Sequence, residues 1–223
     1  MTNEDMATPR QTRGDVAHTI VKAGLSSVPV IGGAAVELFQ HVVQPPLEKR
    51  RAEWMEQVGQ RLKELEENGL DLESLQDNDQ FISAAMHASQ IALRTHQEEK
   101  LEALRNAVLN IATGQSPGEA RQHMFLNFVD VMTETHIRIL KLFQFPNSPP
   151  PQLFAGGLSN MLEHYIPEMR GQRELYDQMW SDLNSKGLVT TPSLHGMMSA
   201  NGLMVKRTSE FGDSFLGFIT MPE

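Results

Sequence analysis

The spacing of apolar residues predicts a chain built mainly from α-helices. Residues 47–69 place Leu47, Trp54, Val58, Leu62 and Leu65 at helical spacing and fill the other face with charged residues, as in an amphipathic helix. Asn68 and Gly69 provide a typical helix end. The same spacing predicts one long helix over residues 79–112, with Asp79 as its cap. These two helices form most of a predicted N-terminal bundle.

Proline-containing turns divide the following part of the chain. Ser116 and Pro117 fit the cap and first position of a helix whose apolar residues continue to Phe143. The tract PNSPPP at 146–151 is the clearest break, because proline lacks the N–H group that a helix needs. Beyond this break the pattern predicts two short helices (153–165 and 171–186).

The C-terminal residues change in character. After the short helices the sequence predicts a strand, a loop-rich β-hairpin and a final helix that begins at Thr208 or Ser209. With residues 130–144 as a first helix, the order of elements is typical of a winged-helix domain. We therefore predict a mainly α fold, with a helical bundle over residues 16–129 and a winged-helix-like domain over residues 130–223 that includes a small β-hairpin.

The most apolar part of the chain follows a polar leader, residues 1–15, which we predict to be disordered. Residues 20–43 are expected to form two short helices that meet at a tight corner (Pro29, Gly32 and Gly33). Pro45 and Pro46 then close the segment. It is interpreted either as a buried helical hairpin or as a membrane-inserting element. Its uninterrupted apolar length falls short of the roughly 20 residues that a span needs, which favours the buried hairpin.

Charge and cysteine content exclude several classes of protein. The formal net charge is −9 over 223 residues, which argues against a general nucleic-acid coat protein or a binder of anionic membranes. The absence of cysteine removes disulfides, thiol catalysis and cysteine-rich zinc sites. The polar N-terminus lacks the apolar core of a signal peptide. We predict a cytoplasmic location, with a peripheral position at the inner membrane as the alternative.

One polar stretch, RTHQEEK at residues 94–100, interrupts an otherwise amphipathic helix. On a helical wheel, three of its side chains fall on the apolar face (His96, Gln97 and Lys100). Glu98 and Arg105 lie on another side, among neighbours at spacings that permit ion pairs. A hydrogen-bonded network that fixes the packing of the helix is the favoured interpretation, because buried polar groups need partners. A ligand or partner pocket built from His96 and Lys100 is the alternative.

No motif in the sequence indicates an enzyme or a cofactor. HQEEK lacks the second histidine of a metalloprotease helix, and no two of the histidines nearby stand four residues apart. The glycine-rich stretches lack the lysine that ends a phosphate-binding loop, and a nucleophile elbow is absent. We therefore predict no catalytic residue, no cofactor and no metal site.

Basic residues in the predicted winged-helix domain bear on the choice of partner. In DNA-binding versions of such domains, the third helix reads the major groove and basic residues contact phosphates. The corresponding residues here are few and lie among acidic ones (Arg173, Lys186, Lys206 and Arg207). Because phosphate neutralisation dominates DNA affinity, we predict that the domain contacts protein and not nucleic acid.

Several stretches resemble a widespread family of bacterial proteins that has no assigned activity. The matching stretches cover nearly everything after residue 20 (VPVIGG, PPLEKRR, RTHQEEKLEALRNAVLN, MFLNFVD, HIRILKLF, GLVTTPSLHGMMSANGL and KRTSEFGDSFLGFI). The resemblance implies a helical core with a winged-helix-like C-terminus, and it transfers no catalytic residue. The same order of elements is remotely similar to the abortive-infection alpha proteins of bacterial phage defence.

These observations favour a non-enzymatic bacterial interaction or regulatory protein that binds a protein partner or a second copy of itself. The first alternative is a stress or phage-defence effector that perturbs membranes through residues 20–43. The second is a DNA-binding transcriptional regulator that uses residues 171–207.

Overall fold

Helices make up most of the residues that a computed structural model describes, namely 34–151, 153 and 155–222. The prediction of a mainly α chain is therefore confirmed for this part of the protein. The chain divides into two compact units between Arg94 and Thr95, whereas the predicted domain boundary follows residue 129. The leader and the glycine-rich corner that the sequence predicts (1–15, Pro29, Gly32 and Gly33) lie outside the described residues.

The first unit contains two α-helices joined by a 3₁₀ turn (α1 at Ala34–Glu67, the turn at Ser74–Asp77 and α2 at Asp79–Arg94). Trp54 of α1 is buried, and its Nε1–H donates a hydrogen bond of 2.9 Å to Ser89 Oγ on α2. Ser89 in turn donates to the carbonyl of Ala85 at 2.7 Å. A buried indole N–H needs such a partner, so this chain of bonds fixes how α1 and α2 pack.

The end of α1 lies where the sequence predicts it. Gly69 has a φ of 103°, a left-handed conformation that residues other than glycine rarely adopt. The N–H of Leu70 donates to the carbonyl of Leu65 at 2.9 Å, and that of Gly69 donates to Glu66 at 3.0 Å. This pair of bonds is a Schellman motif, which satisfies carbonyls of the last helical turn.

The predicted closure of the apolar segment at Pro45 and Pro46 is wrong, because α1 continues through both prolines. Their nitrogens carry no hydrogen, so the carbonyls of His41 and Val42 lack the usual helical donor. The described end of the apolar segment, from residue 34 onwards, and the amphipathic stretch after the prolines therefore belong to one helix of 34 residues.

The predicted long helix over residues 79–112 is also wrong, because the chain leaves the helical conformation at residues 95–97. Gln97 has extended backbone angles and caps the next helix, while its N–H donates to Thr95 Oγ1 at 3.2 Å. Two glutamates then occupy the first turn of that helix, where the helix dipole favours negative charge.

The second unit contains the remaining seven α-helices of the described residues, a second 3₁₀ turn and two short strands. In chain order they are α3 (Glu98–Ala112), α4 (Glu119–Val131), α5 (Glu134–Gln144), β1 (Ala155–Gly156), α6 (Leu158–Tyr165), a 3₁₀ turn (Pro167–Met169), α7 (Arg173–Ser185), β2 (Met198–Ser199), α8 (Ala200–Leu203) and α9 (Glu210–Phe218).

A second predicted continuous helix is broken where α4 ends and α5 begins. Met132 and Thr133 are extended, and Thr133 caps α5 in a reciprocal arrangement with His136. The predicted first helix of the C-terminal domain, at residues 130–144, thus begins at Glu134.

Aromatic side chains from α4 and α9 form the centre of the second unit. Phe125 is fully buried, with its ring centroid 5.0 Å from Phe211, 5.4 Å from Phe215 and 5.7 Å from Phe218. Burying one such side chain contributes roughly 1.5–3 kcal/mol to folding. This cluster is the reason that α9, although last in sequence, belongs to the core of the unit.

The predicted β-hairpin takes a different form. β2 pairs antiparallel with β1, placing Ala155 opposite Ser199, and the two strands lie on either side of α6 and α7 in sequence. Val189 forms one isolated antiparallel bridge with Thr208. The predicted start of the last helix is confirmed, since Ser209 caps α9 and its hydroxyl accepts from the N–H of Gly212.

Candidate functional site

Lys100, which the sequence singles out, points into the second unit. It is only 7% exposed, and its Nζ donates a hydrogen bond of 2.8 Å to the carbonyl of Asp130. Asp130 lies in the last turn of α4, where the helix dipole favours a cation. The ammonium of Lys100 therefore helps to hold the end of α4 against α3.

The other two residues of the predicted polar trio lie elsewhere. His96 is exposed in the connection that precedes α3, and Gln97 is half-buried at the cap position. The backbone carbonyl of Gln97 accepts from the N–H groups of Lys100 and Leu101, both at 3.1 Å. Because the helix is interrupted, the three side chains do not share the single face that a continuous helix would give them. The ligand pocket stays a prediction.

His136 is a buried titratable group whose pKa is lowered by its burial and, to a smaller extent, by the charge of Lys100. Its Nδ1 lies 3.1 Å from the backbone nitrogen of Thr133 and 2.8 Å from the hydroxyl of the same residue. Because a main-chain N–H donates to Nδ1, the ring proton of the neutral form sits on Nε2, which faces Asp182 Oδ2 at 3.5 Å. Burial lowers the pKa of His136, and the hydrogen bond and charge of Asp182 oppose that effect.

The combination of Thr133, His136 and Asp182 has the side chains of a nucleophile, a base and an acid, but its geometry is that of a helix cap. The Nδ1 atom that a nucleophilic hydroxyl would need is already taken by a main-chain N–H. The backbone N–H of His136 is in turn bound by Thr133. The arrangement explains a buried histidine without assigning it a reaction.

Two carboxyl groups meet beside this cap, at the first turns of α3 and α5. A hydrogen bond donated to the carboxylate of Glu99 raises the pKa of Glu134, with burial and the negative charge of Glu99 acting in the same direction. The pKa of Glu99 is lowered, first by a bond to its own backbone and then by Glu134. Both groups lie near the surface, so one shared proton between them is a local feature of the helix ends.

A second region of interest follows α7. From Gly187 to Val205 the chain contains no lysine, arginine, aspartate or glutamate. We call residues 187–205 the methionine-rich loop. Three of its large apolar side chains are exposed (Met197 at 80%, Met204 at 41% and Val205 at 51%). A stretch of this length without lysine, arginine, aspartate or glutamate contrasts with a chain that is 21% charged, and its one titratable side chain, His195, lies 2.7 Å from Asp177 Oδ1.

The methionine-rich loop is anchored at both ends. Trp180 donates from Nε1 to the carbonyl of Thr191 at 2.9 Å, and Thr190 donates from its backbone N–H to the carbonyl of Arg207 at 2.8 Å. The guanidinium of Arg207 donates to the carbonyl of Gly202 at 2.6 Å, and the N–H of Arg207 donates to Phe143 at 2.9 Å. The exposed methionines are therefore presented on a fixed frame.

The four cations that the sequence offers for nucleic-acid contact all take part in contacts within the second unit. Arg173 pairs with Asp177 at 3.4 Å, and Lys186 lies 5.9 Å from the ring centroid of Phe128. Lys206 pairs with Asp213, and Arg207 binds the loop carbonyl already described.

Asp213 is the acceptor that joins Lys206 to the last helix. It also accepts from Thr208 Oγ1 at 2.6 Å and from Gln144 Nε2 at 3.3 Å. Burial raises the pKa of Asp213, but the hydrogen bonds from Lys206, Thr208 and Gln144 outweigh it and hold the pKa below its usual value. The carboxylate therefore ties the start of α9 to the end of α5.

The surface beside α6 contains an open cavity of about 280 Å³. Its lining mixes apolar and polar side chains (Pro150, Leu153, Asn160, Glu163, His164 and Arg170). Arg170 donates from Nε to the carbonyl of Glu163 at 2.9 Å, and the carboxylate of Glu163 accepts from the hydroxyl of Tyr176 at 3.1 Å. These hydrogen bonds fix the connection between α6 and α7.

Two absences concern the described part of the chain alone. Nowhere in residues 34–151, 153 and 155–222 do three or more histidine, aspartate or glutamate side chains come together in a way that could hold a metal ion. Within the same ranges, every helix is too short or too polar to cross a bilayer.

Sequence reasoning did not single out two buried asparagines of α3. Asn106 Nδ2 donates to the carbonyl of Ile219 at 3.0 Å, and Asn110 Nδ2 lies 3.0 Å and 2.7 Å from the carbonyls of Phe218 and Thr220. Their position among apolar residues of α3 was the available signal, because a buried amide needs partners.

Comparison with known proteins adds no assignment to this geometry. The chain matches no protein-family description, and no curated protein or solved structure shows significant similarity to it.

Proposed function

We propose that this chain is a non-enzymatic interaction protein that associates with a second copy of itself through the methionine-rich loop. The observation that carries the proposal is the charge-free loop with Met197, Met204 and Val205 exposed on an anchored frame. A chain with a net charge of −9 repels its own copy over most of its surface, so contact between copies favours a neutral patch. Such a patch is also complementary to itself, as a twofold interface requires.

The same proposal includes a winged-helix-like module over residues 130–223. The order of elements supports this module. It is α5, β1, α6, α7, the bridge residue Val189, β2 and the bridge partner Thr208. The antiparallel pairing of β1 with β2 supports it as well, since a first strand that pairs with a later one is part of this architecture. In this module the methionine-rich loop occupies the place of the wing.

The energetic argument rests on the exposed side chains. Burying one fully exposed methionine or valine contributes about 1.5–3 kcal/mol, before the cost of ordering the side chains is subtracted. Met197 is 80% exposed and Met204 is 41% exposed, so their burial in a twofold contact counts on both copies. Methionine also adapts its shape to a partner, which suits a surface with few hydrogen bonds to offer.

The DNA-binding alternative receives less support. The cations proposed for phosphate contact are engaged with carboxylates, an aromatic ring or main-chain carbonyls of their own unit. Contact with DNA would have to replace these interactions against a net charge of −9. Salt-sensitive DNA binding that disappears in a Lys206→Ala/Arg207→Ala variant would favour this alternative.

The alternative that this protein is a membrane-perturbing stress or phage-defence effector rests on the sequence pattern alone. It depends on residues 20–43, of which residues 20–33 lie outside the described part of the chain. Release of dye from liposomes by the full-length chain, but not by a variant lacking residues 1–46, would favour it.

Sedimentation equilibrium of the purified chain tests the proposed self-association. We expect a concentration-dependent dimer. We expect Met197→Glu/Met204→Glu to raise the dissociation constant of this dimer at least tenfold, which corresponds to a loss of about 1.4 kcal/mol in binding free energy. The matched control is Met124→Glu/Leu175→Glu, which adds the same charge at apolar side chains that are 46% and 42% exposed on α4 and α7. A wild-type chain that stays monomeric at high concentration, or a dimer that both variants leave unchanged, contradicts the proposal.

A further inference from the structure

The N-terminal half of α1 presents apolar side chains to solvent. Leu38 is 66% exposed, Val42 is 61% exposed and Val43 is 38% exposed. Among the described side chains from residue 38 to residue 53, none is buried, and Trp54 is the first described side chain of α1 to enter the core. This half of the helix therefore has an apolar face that the described residues of its own unit do not cover.

Basic residues share that face. At 100° per residue, an arc of about 120° contains Leu38, Val42, Pro46, Lys49 and Arg50, together with Glu53 one turn further on. The opposite side carries His41, Gln44, Glu48 and Arg51. Lys49 to Arg51 is the one run of three consecutive cations in the sequence, and it follows directly after the apolar stretch.

We propose that this face of α1 binds peripherally to an anionic lipid surface, with the helix lying in the plane of the interface. The apolar side chains enter the boundary between headgroups and acyl chains, and Lys49 and Arg50 contact anionic headgroups. The inference is independent of the proposed self-association, because it uses residues of the other unit.

The local charge decides between a lipid surface and a purely apolar partner. Residues 37–53 contain three cations and three carboxylates and are neutral overall, although the whole chain has a net charge of −9. On the apolar face itself, Lys49 and Arg50 stand against the single carboxylate of Glu53. Each lysine or arginine near an anionic membrane strengthens binding about fivefold, and this attraction is lost beyond about 10 Å at moderate salt. Lys49 also pairs with Glu53 at 3.6 Å, an exposed contact of the kind that contributes little in water.

The two prolines place the helix at the interface and not across the bilayer. Pro45 and Pro46 offer no N–H, so the carbonyls of His41 and Val42 need water or another donor. Water is present among the headgroups and absent from the hydrocarbon core, where such carbonyls would be costly. A shallow position satisfies both the apolar side chains and the exposed carbonyls.

Co-sedimentation with vesicles tests the proposal on the full-length chain. We compare phosphatidylcholine vesicles with vesicles that also contain phosphatidylserine, at about 0.05 M and about 0.5 M salt. We expect binding to the anionic vesicles at low salt only. Replacing both cations in Lys49→Gln/Arg50→Gln should weaken this binding about 20- to 30-fold, and Leu38→Glu/Val42→Glu should abolish it.

A matched variant separates the apolar face from the general effect of added charge. His41→Glu/Gln44→Glu adds two carboxylates to the same helix on the opposite side, and it should retain most of the binding. Met197→Glu/Met204→Glu should bind vesicles as the wild type does, which keeps this test apart from that of self-association. Far-UV circular dichroism of every variant checks that the helices are intact.

Four results would overturn the proposal. They are absence of binding by the wild type, equal binding to both kinds of vesicle, equal losses in the two α1 glutamate variants, and a lipid-free oligomer that Leu38→Glu/Val42→Glu dissociates. The last result would show that a second copy covers this face. Dye release together with binding would replace the peripheral position with insertion.

Discussion

Asn110 offers a sharp test of how the second unit is held together. Its side chain is 3% exposed, and its amide lies within hydrogen-bonding distance of the carbonyls of Phe218, Thr220 and Asn106. The carbonyl of Phe218 belongs to the last turn of α9 and has no helical donor after it. We expect Asn110→Ala to leave this buried acceptor without its partner.

The loss of stability in Asn110→Ala depends on which of the three carbonyls would be left without a hydrogen-bond donor. The carbonyl of Asn106 already accepts a helical N–H within α3, and Thr220 is exposed, so its carbonyl can bind water. One buried acceptor, at Phe218, is left unsatisfied, which costs about 1–3 kcal/mol. The small cavity adds to this cost, so we expect Asn110→Ala to lower the free energy of unfolding by about 2–3 kcal/mol.

Asn110→Asp should be worse than Asn110→Ala at neutral pH. A carboxylate at this position faces carbonyl oxygens at the negative end of the helix dipole of α9, and a buried charge without a partner costs about 3–5 kcal/mol. Protonation of the new carboxyl restores a donor, so the pKa of this group is raised in the folded state. The Asn110→Asp variant should therefore become more stable as the pH falls, until the wild-type acid transition begins.

Urea unfolding followed by circular dichroism gives the free energies, and hydrogen exchange of residues 215–220 reports on α9 itself. A loss of 2 kcal/mol corresponds to exchange about 30-fold faster. Asn127→Ala is the control, since Asn127 is exposed on α4 and its replacement should stay within about 0.5 kcal/mol of the wild type. The reasoning is refuted if Asn110→Ala behaves like Asn127→Ala in both measurements.

Three further predictions concern pH and backbone packing. Burial lowers the pKa of His136, so the stability that its neutral form provides is present above about pH 6.5, the ordinary pKa of histidine, and is lost as the pH falls through the lowered pKa of the folded state. The slope of Tm against pH below about 6.5 should therefore be smaller in His136→Gln. Although burial raises the pKa of Asp213, its hydrogen bonds hold it below the usual value, so its stabilising effect is lost in acid. Asp213→Asn should therefore be less stable than the wild type at neutral pH and match it once the wild-type carboxyl is protonated, as read from urea midpoints. Gly212→Ala places a Cβ 2.1 Å from the carbonyl oxygen of Leu188 and should cost at least about 2 kcal/mol, whereas Gly217→Ala on the same helix meets no atom within 4 Å and should be neutral or stabilising by up to about 1 kcal/mol. An equal thermal shift for the two glycine variants would contradict the close approach.

Local signals predicted two helix ends correctly, but they misplaced the caps of α2 and α4. Asn78, and not Asp79, accepts the N–H of Phe81, and Gly118, and not Ser116, caps α4. Gly69 terminates α1, and Ser209 caps α9, because each signal acts through its own backbone conformation or its own side chain. The breaks at residues 95–97 and 132–133 were missed for a physical reason. A break of about one helical turn leaves the apolar positions nearly in phase, so periodicity alone cannot reveal it.

The cap of α5 shows a related limit. A reciprocal cap is usually recognised by glutamate or glutamine three residues after serine or threonine, whereas here His136 takes that role towards Thr133. His136 is buried, and the hydrogen-bond partner that explains its burial cannot be read from the spacing of apolar residues.

The candidate surfaces depended on information that the sequence holds only in part. The stretch without charge from Gly187 to Val205 can be read directly, but its exposure depends on anchors such as Arg207 and Trp180. Likewise, an apolar stretch was visible around residues 20–43, while the exposure of Leu38 and Val42 follows from which part of α1 its partner helix covers. Non-local packing supplied what periodicity could not.

The anchoring of α9 at both ends has a consequence for the order of folding. Its start is bound to the end of α7, where the N–H of Ser209 donates to Leu188 at 3.0 Å, and its end is bound to Asn106, 113 positions earlier in the chain. Closing a loop of that length costs chain entropy before the contacts at its ends can repay it. Helix α9 should therefore dock late, after α3 to α7 have formed a surface to receive it, and its release should be the first step by which the second unit opens.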